Sequence, residues 1–460
     1  MTTSPGTEDA AMLAAGVLKR IETENIRNVR LILTDLYGVA RGKVVTAARM
    51  ERAVTEGHPF AIPLFASNLW QRHAPGEHLY SNDIGYRNGV LRLDPLTFAP
   101  LPWTPATAHI VTDLYDDAGQ IVATPRAVLR RVLDDARSLG LEPVLGSELE
   151  FYVYRPDPDG TGLDAAGYAP VYGPQSWFSL HAMDVAQEFV DGLDHAAGQM
   201  GLPLYEIFSE HGAGQFEVNL EPGSGLLAVD RVVALKIAIK EVARSLGLRA
   251  TFMARPTSAD VTPPSGYHLH QVLLDASGGN LFADETAADG LSDTARHYVA
   301  GQLEHAAGMT GIASPTVTAY KRYQPGTWAP IQIAWGVENR TALVRGLPAG
   351  PNTRIENRMG SSDANPYLLA AVMIAAGLDG IRRELDPGDP AQENLFENIR
   401  FPRLPSRPDQ GVDALLADAE LVAALGPDFT RTFADVLRFD WERFLRHVTD
   451  WEINEYREML

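Results

Sequence analysis

An α+β fold is predicted by three features of this 460-residue chain. Residues 25–107 read as a small sheet domain. Four later strands each carry polar side chains on one face. From residue 364 onward the text is mostly helical.

In order along the chain, residues 8–24 read as a helix. Val29–Leu33 and Val44–Val45 then read as two strands about a glycine turn. Residues 46–107 are mixed, with many prolines and tryptophans. In "TPRAVLRRVLDDARSLG", Thr124 is placed as N-cap, Pro125 at the first helical position and Gly140 past the end. A strand is predicted over 143–154, and a long surface loop over 155–175, which is rich in Pro, Gly and Asp. Residues 228–246 read as an amphipathic helix, and "RATFMARP" after it as a strand. The longest apolar run, 12 residues from Tyr367, is too short to span a bilayer and reads as a buried helix.

Composition narrows the chemistry. The apolar fraction of 45% and charged fraction of 21% are those of a soluble globular protein. A net charge of −20 argues against nucleic acid and against anionic membrane surfaces as partners. No cysteine is present, which excludes disulfides, zinc-thiolate sites and cysteine nucleophiles. A metal would have to be held by Asp, Glu, His or backbone oxygen, which favours hard ions such as Mg²⁺ or Mn²⁺. The first residues lack a basic and an apolar signal region, so a cytoplasmic location is expected.

In a strand, residues i and i+2 point to one face, roughly 6–7 Å apart. Glu148 and Glu150 share a face, as do Gln215, Glu217 and Asn219, His268 and His270, and Arg354, Glu356 and Arg358. One such strand is ordinarily just half exposed to water. Four together, rich in Glu, His and Arg and nearly free of Lys, point to one sheet whose concave face holds metal ligands and anion-binding arginines. Glu148, Glu150, Glu210, Glu217, Glu356 and His268 exceed what one Mg²⁺ needs, so two neighbouring metals are expected. Metals with arginines suit phosphoryl transfer, where charge on several oxygens must be neutralised at once. Arginines also punctuate "YKRYQPGTWAPIQIAWGVENRTALVRG" at Arg322, Arg340 and Arg345, with Trp328 at the tip of its Pro/Gly turn. No Walker A loop is present: "GVARGKV" is a residue short and lacks the final Ser/Thr.

The segments "DLYGVARGK", "GSELEFYVY", "SEHGAGQFEVNL", "GYHLHQ", "NRTALVRG", "RIENRMGSSDANPYLLAAVMIAAGLDGI" and "TDWEINEY" resemble the glutamine synthetase superfamily, bacterial type I branch, over nearly the whole chain. The resemblance implies an ATP-dependent ligase that phosphorylates the γ-carboxylate of glutamate and lets a nitrogen displace the phosphate. It implies an N-terminal helix over 1–24, a β-grasp domain over 25–107 and a catalytic domain over 108–460, built on a curved antiparallel sheet with helices outside. It implies ATP and two or three Mg²⁺ or Mn²⁺ ions per site. One metal site would be Glu150, Glu210 and Glu217, the other Glu148, His268 and Glu356. His270, Arg340 and Arg345 would face the transferring phosphate, and Arg354 the nucleotide, with His270 and Arg345. Arg322, Arg340 and Arg358 would hold the amino acid's carboxylates. A ring homo-oligomer is implied, twelve subunits being favoured.

Departures redirect the substrate. The flap of ammonia-using members reads Pro-Gly-Tyr-Glu-Ala-Pro, whereas here it reads "PGTWAP", so Trp328 replaces the acid that binds and deprotonates ammonium. The counterpart of the second ammonium-binding acid falls in "FASNL", residues 65–69, which has none. An Asn-Gly pair that contacts glutamate becomes Pro263–Pro264, and the tyrosine that some members adenylylate aligns with Phe396. The resemblance therefore points to the γ-glutamyl-amine ligase branch, with Trp328 at the amine. A ligase for another acid, an ammonia-using enzyme and a catalytically silent homologue are the alternatives.

Overall fold

A computed structural model of the chain describes residues 7–76, 85–157, 168–174, 176–257 and 263–460. It opens on α1 (Thr7–Thr23), followed by a sheet of β1 (Asn28–Thr34), β2 (Ala40–Thr46), β3 (His58–Ala61), β4 (Asn88–Leu93), β5 (Ala99–Pro100) and β6 (Thr107–Tyr115), with α2 (Met50–Glu56) between β2 and β3. The strand order is β2-β1-β6-β4-β3, with β5 added beside β6. β1 and β2 form the expected hairpin, and Gly38 in its turn holds a φ of +77°. A side chain at Gly38 would also press on Asn365 and Pro366 at 3.1 Å.

The first sheet runs to Tyr115, past the expected limit at 107. β6 pairs in parallel with β1, from Asn28 opposite Thr107 to Ile32 opposite Val111. Its residues are buried on both faces up to Leu114, so they lack the alternation that marks a half-exposed strand.

α3 (Pro125–Ser138) begins at Thr124, whose hydroxyl accepts from the Ala127 N–H, and Gly140 follows its end at a φ of +75°. Arg126 on α3 is buried and joins both halves of the chain, donating to Asp113 of β6 and to Asp230. The second sheet comprises β7 (Glu142–Pro156), β8 (Tyr168–Pro170), β9 (Leu204–Ser209), β10 (Gln215–Ser224), β11 (Arg249–Thr251), β12 (Tyr267–Leu274), β13 (Trp335–Val337), β14 (Val344–Leu347) and β15 (Arg354–Asn357). Its order is β13-β14-β15-β12-β7-β10-β9, with β8 and β11 added beside β7. The expected loop over 155–175 thus contains a strand, because Tyr168–Pro170 pairs back on β7; residues 158–167 and 175 lie outside the described residues. The strand expected over 249–256 ends at Thr251, where Phe252 turns into the core.

Helices α4 (Leu180–Val185), α5 (Gln187–Met200) and α6 (Gly225–Ser245) lie between these strands, and α5 and α6 pack against the sheet region. Leu149, Phe151, Phe216 and Val218 fill its apolar face, where the Phe151 ring stacks on Phe216 and meets Phe189 of α5 edge-on. The polar side chains are thereby left on the opposite face. Helices α7 (Asp293–Glu304), α8 (Ala306–Ala313), α9 (Val317–Tyr320), α10 (Pro366–Arg382), α11 (Pro408–Ala417), α12 (Ala419–Leu425), α13 (Pro427–Leu445) and α14 (Asp450–Tyr456) complete the fold. The apolar run from Tyr367 lies in α10, buried throughout. Among the described residues, no helix is long and apolar enough to cross a membrane.

His305, between α7 and α8, is buried and clamps α10 to α12. Its Nδ1 lies 2.8 Å from Asp418 and its Nε2 3.0 Å from Asp379. Burial alone would lower its pKa, but hydrogen bonds to Asp418 and Asp379 outweigh it and raise the value above 6.5. A raised value means that this stabilisation is full below 6.5 and is lost as pH rises through the folded value. His305→Gln is expected to cost about 3 kcal/mol near pH 6, with the gap narrowing by about pH 9. Urea denaturation at both pH values checks this, and a gap that does not change with pH would contradict a charged His305.

Candidate active site

The four polar-faced segments assemble side by side, and register aligns their side chains into rows. Asn219 of β10, Glu148 of β7 and His268 of β12 stand opposite one another. His270 of β12, Glu356 of β15 and Arg345 of β14 form a second row, and Glu217 stands opposite Glu150. Directly opposed residues have Cβ atoms roughly 4.5–5.5 Å apart, so each row presents its charges at ligand spacing.

Glu148, His268 and Glu356 each turn one ligand atom to a common point, all within 4.8 Å of one another. His268 Nδ1 lies 3.2 Å from Glu148 Oε2 and 3.7 Å from Glu356 Oε1. Burial, with help from the Arg358 charge, pushes His268 down to about 4, so its imidazole is neutral near pH 7 and its lone pair free for a metal. Burial would raise Glu148, but hydrogen bonds with His268 and His270 hold it well below the usual carboxylate range. Glu356 is likewise held low, since the Arg358 charge outweighs its burial. Two carboxylates and a neutral imidazole suit a Mg²⁺ or Mn²⁺ ion.

The second expected set is arranged differently. Glu150 Oε2 accepts from the Gly266 N–H at 2.7 Å and from Gln215 at 3.2 Å, while Oε1 has no hydrogen bond among the described residues. Burial and the Glu210 charge push Glu150 up to about 7. Burial and the charges of Glu148, Glu150 and Glu210 push Glu217 well above its ordinary value. Glu210 Oε2 is engaged by the backbone N–H and Nδ1 of His211, at 2.9 and 3.0 Å. The three acids do not close into a tight ligand set here, but their mutual repulsion is what a bound cation would relieve.

The arginines divide into four groups. Arg345 donates to Glu356 at 3.1 Å and to Glu338 at 2.5 Å, and Arg358 donates to Glu356 at 2.5 Å. The Nε of each is buried without a hydrogen-bond partner among the described residues. Arg354 donates to His270 Nδ1 at 3.2 Å, and His270 Nε2 lies 2.7 Å from Glu148. Arg322 is buried and spends its guanidinium on the carbonyls of Met359 and Arg358, at 2.6 and 3.1 Å. Arg340 is exposed and makes no hydrogen bond or ion pair among the described residues. Trp328, at a φ of +60°, sets its indole 5.7 Å from the His211 ring and 6.0 Å from Phe396.

A sequence profile of the glutamine synthetase catalytic domain matches residues 122–456. The chain belongs to the glutamine synthetase family. Glutamine synthetase of Halobacterium salinarum is 33% identical over 458 residues, covering 96% of each chain. Gamma-glutamylanilide synthase of an Acinetobacter species is 30% identical over 479 residues, covering 96% of this chain and 95% of that one. The solved structure of ligand-free GmaS superposes with a TM-score of 0.84 at 30% identity, covering 96% of this chain and 99% of that one. As a member of the glutamine synthetase family the chain is an ATP-dependent ligase, of a family that uses ATP and divalent metals.

Against the family pattern, Ser67 and Asn68 of "FASNL" are buried, and Asn68 donates to Asp440 of α13 at 2.7 Å. Their polar groups serve the fold of this chain. Pro263 and Pro264 are joined to the site through their carbonyls, which accept from Tyr152 and Gln215. Sequence reasoning missed His211, Trp177 and Glu338. His211 directly follows Glu210, and Trp177 lies in a Pro/Gly-bounded loop, so the text carried a weak signal for each. A cavity of about 550 Å³ between β1, β2 and α6, lined by Arg41, Lys43 and Lys236, shares no residue with the expected site.

Proposed function

We propose that this ligase joins glutamate to a primary amine, forming a γ-glutamyl amide through a γ-glutamyl phosphate. The observation that carries the reading is the pairing of a nearly complete phosphoryl-transfer face with a flap on which an indole replaces the ammonium-binding acid. The name of one relative, gamma-glutamylanilide synthase, supports an amine product, and GmaS has been solved in complex with ADP.

Divalent cations held by Glu148, His268 and Glu356, and by Glu150, Glu210 and Glu217, would neutralise phosphoryl oxygens during transfer. Arg345 and Arg358 stand on either side of Glu356, each with an unpartnered Nε that a substrate oxygen would satisfy. Arg354 orients His270, which in turn orients Glu148. Arg322 holds the backbone that carries Arg358, so it places the fork that receives glutamate. Arg340, free at the surface, is the guanidinium that ordering by substrate would bring in.

The test is phosphate release with ATP and glutamate against a panel of amines. Negligible turnover with ammonia at neutral pH, and useful turnover with at least one primary amine, are expected. Efficient use of ammonia would overturn the reading. A different acid is the second reading, favoured by Pro263–Pro264 beside Gln215. It wins if glutamate fails with every amine while another acid succeeds.

A further inference from the structure

The cavity between β1, β2 and α6 differs in charge from the metal face. On a chain of net charge −20, its lining carries five basic side chains against two acidic ones. Three of the five are already engaged on the β-grasp side. Arg30 donates to the Thr104 hydroxyl, Arg41 pairs with Asp35, and Lys43 donates to the Pro59 carbonyl. The free charge belongs to Lys236 and Lys240, which stand one turn apart on α6. Their ammonium groups lie 4.8 and 5.6 Å from the centre of one ring, that of Phe252.

Neither lysine has an ion-pair partner among the described residues, and both acids of the lining are spent elsewhere. Glu241 pairs with Arg244 at 2.6 Å, and Asp363 accepts from the hydroxyls of Thr316 and Ser361. Like charges one turn apart on a helix repel. Burial and the Lys240 charge accordingly push Lys236 down to about 7, against a weaker pull from Asp363. His109, also in the lining, is buried, and its Nδ1 has no hydrogen-bond partner among the described residues. Two unanswered cations and an unanswered ring nitrogen around one cavity are what an anionic ligand would satisfy.

We infer that this cavity is an effector site for a phosphate monoester with an apolar body, its phosphate between Lys236 and Lys240 and its body against Phe252. Such a phosphate carries about −1.5 to −2 near pH 7, which matches two ammonium groups, whereas a monocarboxylate leaves one unanswered. Lysine serves phosphate as a point charge. Val233, Ile237 and Met253 add apolar surface beside Phe252. The volume of about 550 Å³ falls within the roughly 300–1,000 Å³ of small-molecule sites.

Lys236 also joins the cavity to the metal face. It donates to the Ser362 carbonyl at 2.8 Å, and the Ser362 hydroxyl donates to the Glu150 carbonyl. Ser362 follows Arg358 on one segment, whose Arg358 and Met359 carbonyls are held by Arg322. A phosphate that draws Lys236 away from Ser362 slackens the segment that aims Arg358. By linkage, the ester and the acid bound by Arg358 weaken each other's binding by the same factor.

Calorimetry on the full-length protein without Mg²⁺ tests the site with phenyl phosphate and with phenylacetate. Phenyl phosphate is expected to bind at least about tenfold more tightly than phenylacetate. Lys240 is exposed and lies outside the catalytic face, so Lys240→Ala isolates its charge. That variant should raise the phenyl phosphate Kd by about tenfold, and Lys240→Arg should recover most of the loss. No binding of phenyl phosphate, an affinity that ignores Lys240→Ala, or phenylacetate binding as tightly overturns the inference. This readout involves no turnover, so it stands or falls apart from the amide-ligase reading. In the phosphate-release assay with glutamate varied, phenyl phosphate should raise the wild-type glutamate KM by about fivefold, with kcat held within about twofold. Lys240→Ala should keep wild-type turnover and lose this effect. Equal inhibition of both proteins would place the ester in the active site and overturn the coupling.

Discussion

Glu150→Gln is expected to lower phosphate release by about three orders of magnitude or more at any millimolar Mg²⁺ or Mn²⁺ concentration, since a misplaced cation forfeits several kcal/mol of transition-state stabilisation. The variant keeps an oxygen for the Gly266 N–H and removes only the charge. That charge is costly to the fold, because burial and Glu210 push the Glu150 carboxyl up to about 7. A carboxyl raised in this way holds its proton longer folded than unfolded. The penalty therefore grows as pH rises from 4.5 to about 7 and is full above it. The metal-free variant should consequently melt above the metal-free wild type near pH 8, while showing almost no turnover. Glu150→Ala should be as inactive but less stable, since it also strips the acceptor from Gly266 and Gln215. Calorimetric melting beside the phosphate assay tests both halves. Wild-type turnover in either variant would remove Glu150 from the metal-binding face.

Arg358→Lys is expected to raise the glutamate KM by about tenfold or more, equivalent to ~1.4 kcal/mol. Arg358 is buried at the end of β15 and donates to Glu356 with one nitrogen. The Glu356 charge raises its pKa despite burial, so the guanidinium is always charged. A lysine keeps that charge but has one terminal nitrogen, and it cannot serve Glu356 and a substrate carboxylate with a planar fork. The turnover number should fall as well, because a single ammonium cannot hold both the Glu356 carboxylate beside His268 and the substrate carboxylate in position. Steady-state kinetics with glutamate varied decides the point: an unchanged KM would place the substrate carboxylates elsewhere.

The polar face was legible because a strand has a period of two. Glu148 and Glu150 on one segment, or His268 and His270 on another, announce a shared face before any neighbour is known. Helix limits at Thr124 and Gly140 were legible for the same local reason, a capping hydroxyl and a residue free to take a positive φ. Nothing local marked β6 as part of the first sheet, since a strand buried on both faces does not alternate. The ring contacts were equally hidden: Trp177, His211 and Trp328 come from a loop, the segment after β9 and the flap, and only folding brings them together.

Local pattern in the sequence thus showed which segments carry polar and charged side chains, on which face, and that an indole stands in the flap. The tertiary structure decided which of those faces meet. It set Glu148, His268 and Glu356 around one point, turned Glu210 toward His211, placed Glu338 beside Arg345 and left Arg340 in solvent. The physical reason is that side-chain direction within a strand follows from backbone geometry over a few residues. Register between strands, and the direction of a long arginine or an indole at a loop, depends on packing and electrostatics among residues far apart in the chain.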